Sequence, residues 1–134
     1  MASWIQKVNE KWKPEGVKLN PPATNDEIEK TETILNFKFP EDFRKFYLVI
    51  DGFRSFDMEH HMFTFWSLET IIEEYNRWGD KEFIGFSDYL IASHAIGFKR
   101  NEKGIFKLYD EPIPIAETFE EVVNMINSGS QLIY

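Results

Sequence analysis

The stretch from Ile34 to Phe53, ILNFKFPEDFRKFYLVIDGF, holds this chain to a narrow set of folds. Pro40 cannot sit inside a helix, because it lacks an amide hydrogen and its ring collides with the preceding turn, but a first turn accepts it. Phe43, Phe46, Tyr47 and Ile50 then fall at i, i+3, i+4 and i+7 and line one helical face. Glu41 and Asp42 put negative charge at the positive end of that helix's dipole. Asp51 and Gly52 follow the last apolar residue, where a glycine in the left-handed conformation closes a helix. The pattern predicts a buried helix with an opening, a stripe and a stop. It is scaffold and carries no chemistry.

The flanking segments are read the same way. Ser3 caps a first helix running to about Lys13, with Trp4, Ile5, Val8 and Trp12 on one side and Pro14 as its stop. Val17 and Leu19 are placed in a short extended pairing. Thr24 and Glu27 form a capping box for a helix from about Asn25 to Asn36. Glu32 lies about 40° from Ile28 at the edge of that helix's apolar stripe. A half-buried carboxylate there requires a partner, and a tie to the neighbouring helix is the simplest one. The segment 53–66 alternates in places and predicts a hairpin or two short strands, after which Ser67 caps a fourth helix with Leu68, Ile71, Ile72 and Tyr75 inward. FIGFS, LIASHAIGF and GIFKLYD predict strands, with NEKG (Asn101 to Gly104) turning between the last two. Pro112 and Pro114 restrict EPIPIAE to an edge strand or a linker. Thr118 and Glu121 open a final helix ending near Ser128-Gly129. The order of elements predicts one α+β domain over 1–134. Its antiparallel or mixed sheet has about five to six strands, with helices packed mainly on one face and the other face left as a shallow aromatic surface.

Thirteen phenylalanines in 134 residues supply a ring-rich core large enough to be self-sufficient. The absence of cysteine excludes disulfides, thiolate metal sites and thiol nucleophiles, and fits a reducing compartment. No signal-peptide core is expected at the start, and no apolar run approaches the ~20 residues that cross a bilayer. A cytoplasmic location is therefore expected, with no membrane association. The net charge of −8 would be repelled by phosphate backbones and argues against direct nucleic-acid binding. It would attract a basic protein, or it serves only solubility.

Catalytic chemistry finds little support. Asp57, Glu59, His60 and His61 have metal-binding side chains, but neighbouring histidines on a strand point to opposite faces, and no H-E-x-x-H spacing exists. Ser93 and His94 fail as a nucleophile and base for the same reason. Phosphate-cradling and nucleophile-elbow motifs are absent. No enzyme activity, metal or cofactor is expected. The acidic residues cluster instead in expected loops: Asp57 and Glu59, then Asp80, Glu82 and Asp88, then Asp110 and Glu111. With Phe56, Trp66 and Trp78 they form either a partner surface, where rings anchor and carboxylates select lysine and arginine, or a solvated rim over an ordinary core.

From Asn20 to Phe53 the chain resembles the SUKH superfamily, in its branch related to the fungal cell-wall synthesis regulator. The residues that carry the likeness are PPATNDEIEKTE with Glu32, then Leu35, Phe39-Pro40, Glu41-Asp42-Phe43, Phe46 and Asp51-Gly52. Family members usually read leucine-proline and asparagine-glycine where this chain has Phe39-Pro40 and Asp51-Gly52. FTFWSLETI, FIGFSDYLIASHAIGF and TFEEVVNMI are similar to the later strands and helices. The resemblance implies a non-enzymatic α+β binding domain. Bacterial members look largely like immunity proteins that neutralise a cognate toxin, often a nuclease. The expected function is neutralisation of a basic toxin domain through an acidic, aromatic surface. A regulatory scaffold in a cell-wall or signalling complex is the alternative, and a small-ligand or glycan binder a third.

Overall fold

The computed structural model describes residues 3–54, 57–77, 81–90 and 94–134. Three helices come first: α1 (Trp4–Trp12), α2 (Asn25–Leu35) and α3 (Glu41–Tyr47). β1 (Phe63–Phe65) and α4 (Leu68–Arg77) follow, then β2 (Phe83–Tyr89), β3 (His94–Lys99), β4 (Glu102–Leu108) and β5 (Pro112–Ala116), and finally α5 (Phe119–Ser128) with a 3₁₀ turn, Gln131–Ile133. The strands form one antiparallel meander in chain order. The α+β architecture and the edge position of the proline-bearing β5 are as expected.

The helix starts are written locally. Ser3 Oγ accepts the Gln6 amide at 3.2 Å, and Thr24 and Glu27 exchange both bonds of a capping box. Ser67 Oγ accepts the Thr70 amide at 3.1 Å, and Gly129, at φ +69°, closes α5. The start of α3 and its stripe are as expected, with Phe43, Phe46, Tyr47 and Ile50 all buried. Its stop is not. The helix ends at Tyr47 with Leu48 as its right-handed cap, and Gly52 serves another purpose. At φ +70° Gly52 lies so close to the next segment that a Cβ would come within 2.5 Å of the Trp66 carbonyl carbon. The hairpin turn also differs. Lys99 pairs with Glu102, so the connection is Arg100-Asn101, with Asn101 taking the positive φ of 69°. Gly104 sits inside β4, where the ladder is irregular, rather than in the turn. Of the expected strands in 53–66, only β1 and a single bridge between Leu19 and Phe53 form among the described residues.

Directly opposed residues in an antiparallel ladder share a face. Phe65, Ser87 and Ile96 therefore look to one side, and Ile84 and Phe98 with them. On that side α3 and α5 bring in the main ring cluster. Phe43 stacks on Phe39 and Tyr47, each at 4.2 Å between centroids, and meets Phe98 at 5.6 Å and Phe119 at 5.0 Å. Trp12 of α1 completes it against Phe53 and Phe65 and donates its indole hydrogen to Asn127 Oδ1 at 2.9 Å. The opposite face is not the open aromatic surface expected. Its Thr64, Asp88, Ala95 and Gly85 are buried, and the Trp66 ring lies over Gly85.

Candidate functional site

Asp51, expected as a turn residue, has a wider role. It follows α3, and its Oδ1 accepts the amide of Leu68, the first residue of α4, at 2.9 Å. Asn20 Nδ2 donates to the Asp51 carbonyl at 2.9 Å and so fixes the loop leading to α2 against the same turn. Tyr47, one turn before, donates its buried hydroxyl to the Trp66 carbonyl at 2.6 Å. Helix α3, the loop before α2 and the β1–α4 junction are thus joined at the Asp51 turn. Burial, together with the nearby charges of Glu27 and Glu69, pushes the Asp51 pKa up to about 6, against the opposing effect of the Leu68 amide.

Beside Asp51 opens a cleft of about 430 Å³, within the roughly 300–1,000 Å³ range of ligand sites. Glu27 from the first turn of α2, Asp51, Thr64 from β1 and Glu69 from the first turn of α4 line it. Three carboxylates therefore border one cleft, and no lysine, arginine or histidine lines it among the described residues. Ser67 and Thr70 bring hydroxyls, but no imidazole is there to activate them. The arrangement suits capture of a cation. A wider hollow of about 850 Å³ lies over Glu32 and Arg44. Its floor is already satisfied: Glu32 Oε1 meets Arg44 Nη1 at 2.7 Å and Oε2 accepts the Phe39 amide at 2.8 Å. That is the helix-to-helix tie expected of Glu32.

The acidic and aromatic residues expected to meet a partner do not form one surface. Glu59 is 2% exposed, and its Oε2 accepts the amides of His61 at 2.6 Å and Phe63 at 3.0 Å, so it fastens the turn before β1. Trp66 and Asp88 are likewise inside, at 3% and 4% exposure. These three correct the sequence reading, because each is buried rather than displayed: Glu59 by the amides of its own turn, Trp66 against Gly85, and Asp88 within the sheet opposite Thr64. Asp57 is half-exposed and accepts the Lys18 amide at 2.7 Å. Phe56, Trp78, Asp80 and Ser93 lie outside the described residues. Glu82 precedes β2 at the end where β3 turns into β4, whereas Asp110 and Glu111 lie in the β4–β5 turn at the other end. Pro40, Phe43, Phe46 and Gly52 act in the scaffold. Glu27 and Glu69 were missed as a pair. One reads locally as a capping residue and the other as an outward helix position, and only the tertiary fold sets them against Asp51.

A five-stranded antiparallel meander packed against helices, with an acidic cleft beside Asp51, defines a domain of the α+β class. The chain belongs to the SMI1/KNR4 family (SUKH-1), whose model matches residues 22–125. That membership sets it among protein-interaction and immunity-type domains in general, a family that is generally non-enzymatic. No curated protein matches the chain. No helix among the described residues is long and apolar enough to cross a membrane.

Proposed function

We propose that this protein is an immunity-type binding domain that neutralises a cognate basic toxin, of nuclease type, by covering it with an acidic surface in the cytoplasm. The observation that carries the reading is the cleft bordered by Glu27, Asp51 and Glu69 with no cation of its own, on a chain of net charge −8. Such a field accelerates encounter with a positively charged partner and penalises acidic ones. Family membership supports a protein partner over a small substrate. Among the described residues first expected at the contact, Asp57 is half-exposed and adds to the acidic surface.

The test is co-expression with the toxin domain encoded beside this gene, paired with a binding titration across a range of salt. Growth should be rescued, and affinity should fall steeply as salt rises, because exposed charges more than ~8–10 Å apart are screened at physiological ionic strength. Rescue lost on reversing Glu69 to lysine would tie protection to the cleft. Absence of both rescue and binding would sink the reading.

A further inference from the structure

We propose that the cleft beside Asp51 takes the guanidinium group of an arginine side chain presented by the partner protein. The inference deepens the interaction reading above and rests on it for the source of the arginine, but the pocket chemistry stands by itself. Three observations converge. The first is charge: Glu27, Asp51 and Glu69 line the cleft and no cation there neutralises them. Their local duties leave acceptor capacity to spare. Glu27 gives Oε1 to the Thr24 amide at 2.9 Å, and Asp51 gives Oδ1 to the Leu68 amide at 2.9 Å. Each carboxylate retains a second oxygen, and Glu69 is exposed.

The second observation is a hydroxyl. Thr64 is 1% exposed, and its Oγ1 has no hydrogen-bond partner. Buried hydroxyls without partners are costly, by about 1–3 kcal/mol, and call for an explanation. Thr64 lies between Phe63 and Phe65, whose rings enter the core, so its side chain points the other way. Its own carbonyl is occupied by the Ser87 hydroxyl at 2.6 Å. On that side Thr64 lies directly opposite Asp88, and it is also among the residues that line the cleft.

The third observation is the spread of the acceptors, which selects among cations. No three carboxylate or imidazole groups among the described residues converge closely enough to hold a metal ion. A lysine ammonium is likewise a compact point charge. A guanidinium is a planar fork with five N–H donors, and it reaches acceptors arranged around it rather than at one point. It is also weakly hydrated and lies well against flat apolar walls such as Pro21 and Pro22 at the rim.

The experiment is an amide-resolved NMR titration of the full chain with N-acetyl-arginine methylamide. The matching lysine and citrulline derivatives serve as the ammonium and the uncharged controls. Shifts confined to the amides of Asp51, Leu68, Glu69 and their neighbours are expected, with binding of millimolar order for so small a ligand. The lysine derivative should bind several-fold more weakly and the citrulline derivative should give no shift. Asp51→Asn should weaken arginine binding about tenfold while retaining the acceptor for Leu68. Glu69→Gln, at an exposed position, tests the same point without touching the fold. Thr64→Val should lower arginine affinity if the hydroxyl is a ligand, and leave it unchanged if the hydroxyl is merely buried. Equal shifts from all three derivatives, or none from arginine, overturn the proposal. Toxin capture without arginine shifts sinks the cleft alone; arginine binding without a toxin partner sinks only the immunity reading.

Discussion

The carboxylate of Asp51 caps α4 from seventeen residues upstream, accepting the Leu68 amide at 2.9 Å beside the Ser67 hydroxyl that caps Thr70. One group therefore serves both as a helix cap and as a wall of the acidic cleft. The two roles oppose each other. Capping favours the charged form, whereas burial and the Glu27 and Glu69 charges disfavour it more strongly.

That conflict predicts a pH-dependent stability. Folded Asp51 keeps its proton up to about 6, while an ordinary aspartate releases it near 3.8. Between those values the folded chain holds more protons than the unfolded one. The stability this contributes is full below about 3.8 and is lost as pH rises through about 6. Asp51→Asn keeps the acceptor and removes the charge. It should raise stability at neutral pH by about 1 kcal/mol, a figure discounted for solvent around a half-buried group. The gain should vanish in acid. Asp51→Ala, which loses the cap, should instead cost about 1 kcal/mol. Burial lowers the His94 pKa and so works in the opposite direction. Urea titrations of variant and natural chain at matched pH cancel that contribution; a gain independent of pH would refute the assignment.

Gly52 and Gly16 offer a controlled comparison of backbone strain and collision. Both have positive φ, at +70° and +81°, but only Gly52 is crowded: a Cβ on Gly16 would meet nothing within 4 Å, whereas one on Gly52 would meet the Trp66 backbone at 2.5 Å. Gly16→Ala should cost about 1 kcal/mol for the left-handed conformation alone. Gly52→Ala adds a clash that neither backbone can relieve cheaply, and should cost about 3 kcal/mol or more. Thermal melts of the two variants decide the matter; equal losses would mean that the approach of Trp66 is not rigid.

Local signals made much of the scaffold legible. The caps of α1, α2 and α5 are each written within four residues, and the Pro40 opening and the Phe43 stripe within one turn or two. Gly52 misled because a glycine after an apolar stripe has two explanations, closing the helix or admitting another backbone, and only the second needs a partner far along the chain. Gly104 misled similarly, drawing the turn two residues too late. The acidic loops misled for a physical reason of the same kind. Glu59 looks solvated until its bonds to the His61 and Phe63 amides are formed, and hydropathy carries no record of such bonds. The cleft was the least legible part, since its three acids come from three elements.

Glu32 and Arg44 connect α2 to α3 across a partly buried pair, with side-chain exposures of 12% and 20%. The Phe39 amide uses the other oxygen of Glu32, so removing this one side chain strands both a cation and a donor. Glu32→Ala should therefore destabilise by about 2–3 kcal/mol. Glu32→Gln, which still accepts from Phe39, should lose about 1 kcal/mol. Arg44→Met in the Glu32→Gln background should recover part of the loss, because no charge is then left unpaired. A double-mutant cycle by urea denaturation measures this directly, and strict additivity would show that the pair contributes nothing.

The outer edge of β5 is protected by its prolines. Ile113 lies opposite Lys107, flanked by the pairs Pro114–Phe106 and Pro112–Leu108. Bonded and non-bonded pairs alternate along an antiparallel ladder, and proline has no hydrogen to donate, so Ile113 makes the inward bonds. Pro112 and Pro114 then turn their backbone outward at an edge where no further strand pairs in the described sheet, and they offer no donor there. Along Pro112–Pro114 an added strand could find only carbonyls to bond. Replacing both prolines with threonine restores two outward N–H groups on a strand-favouring backbone. The double variant should self-associate as its concentration rises, seen by sedimentation as a growing apparent mass, while Ile113→Thr alone should behave as the natural chain does. Identical sedimentation of all three would show that something other than the missing donors keeps this edge from pairing.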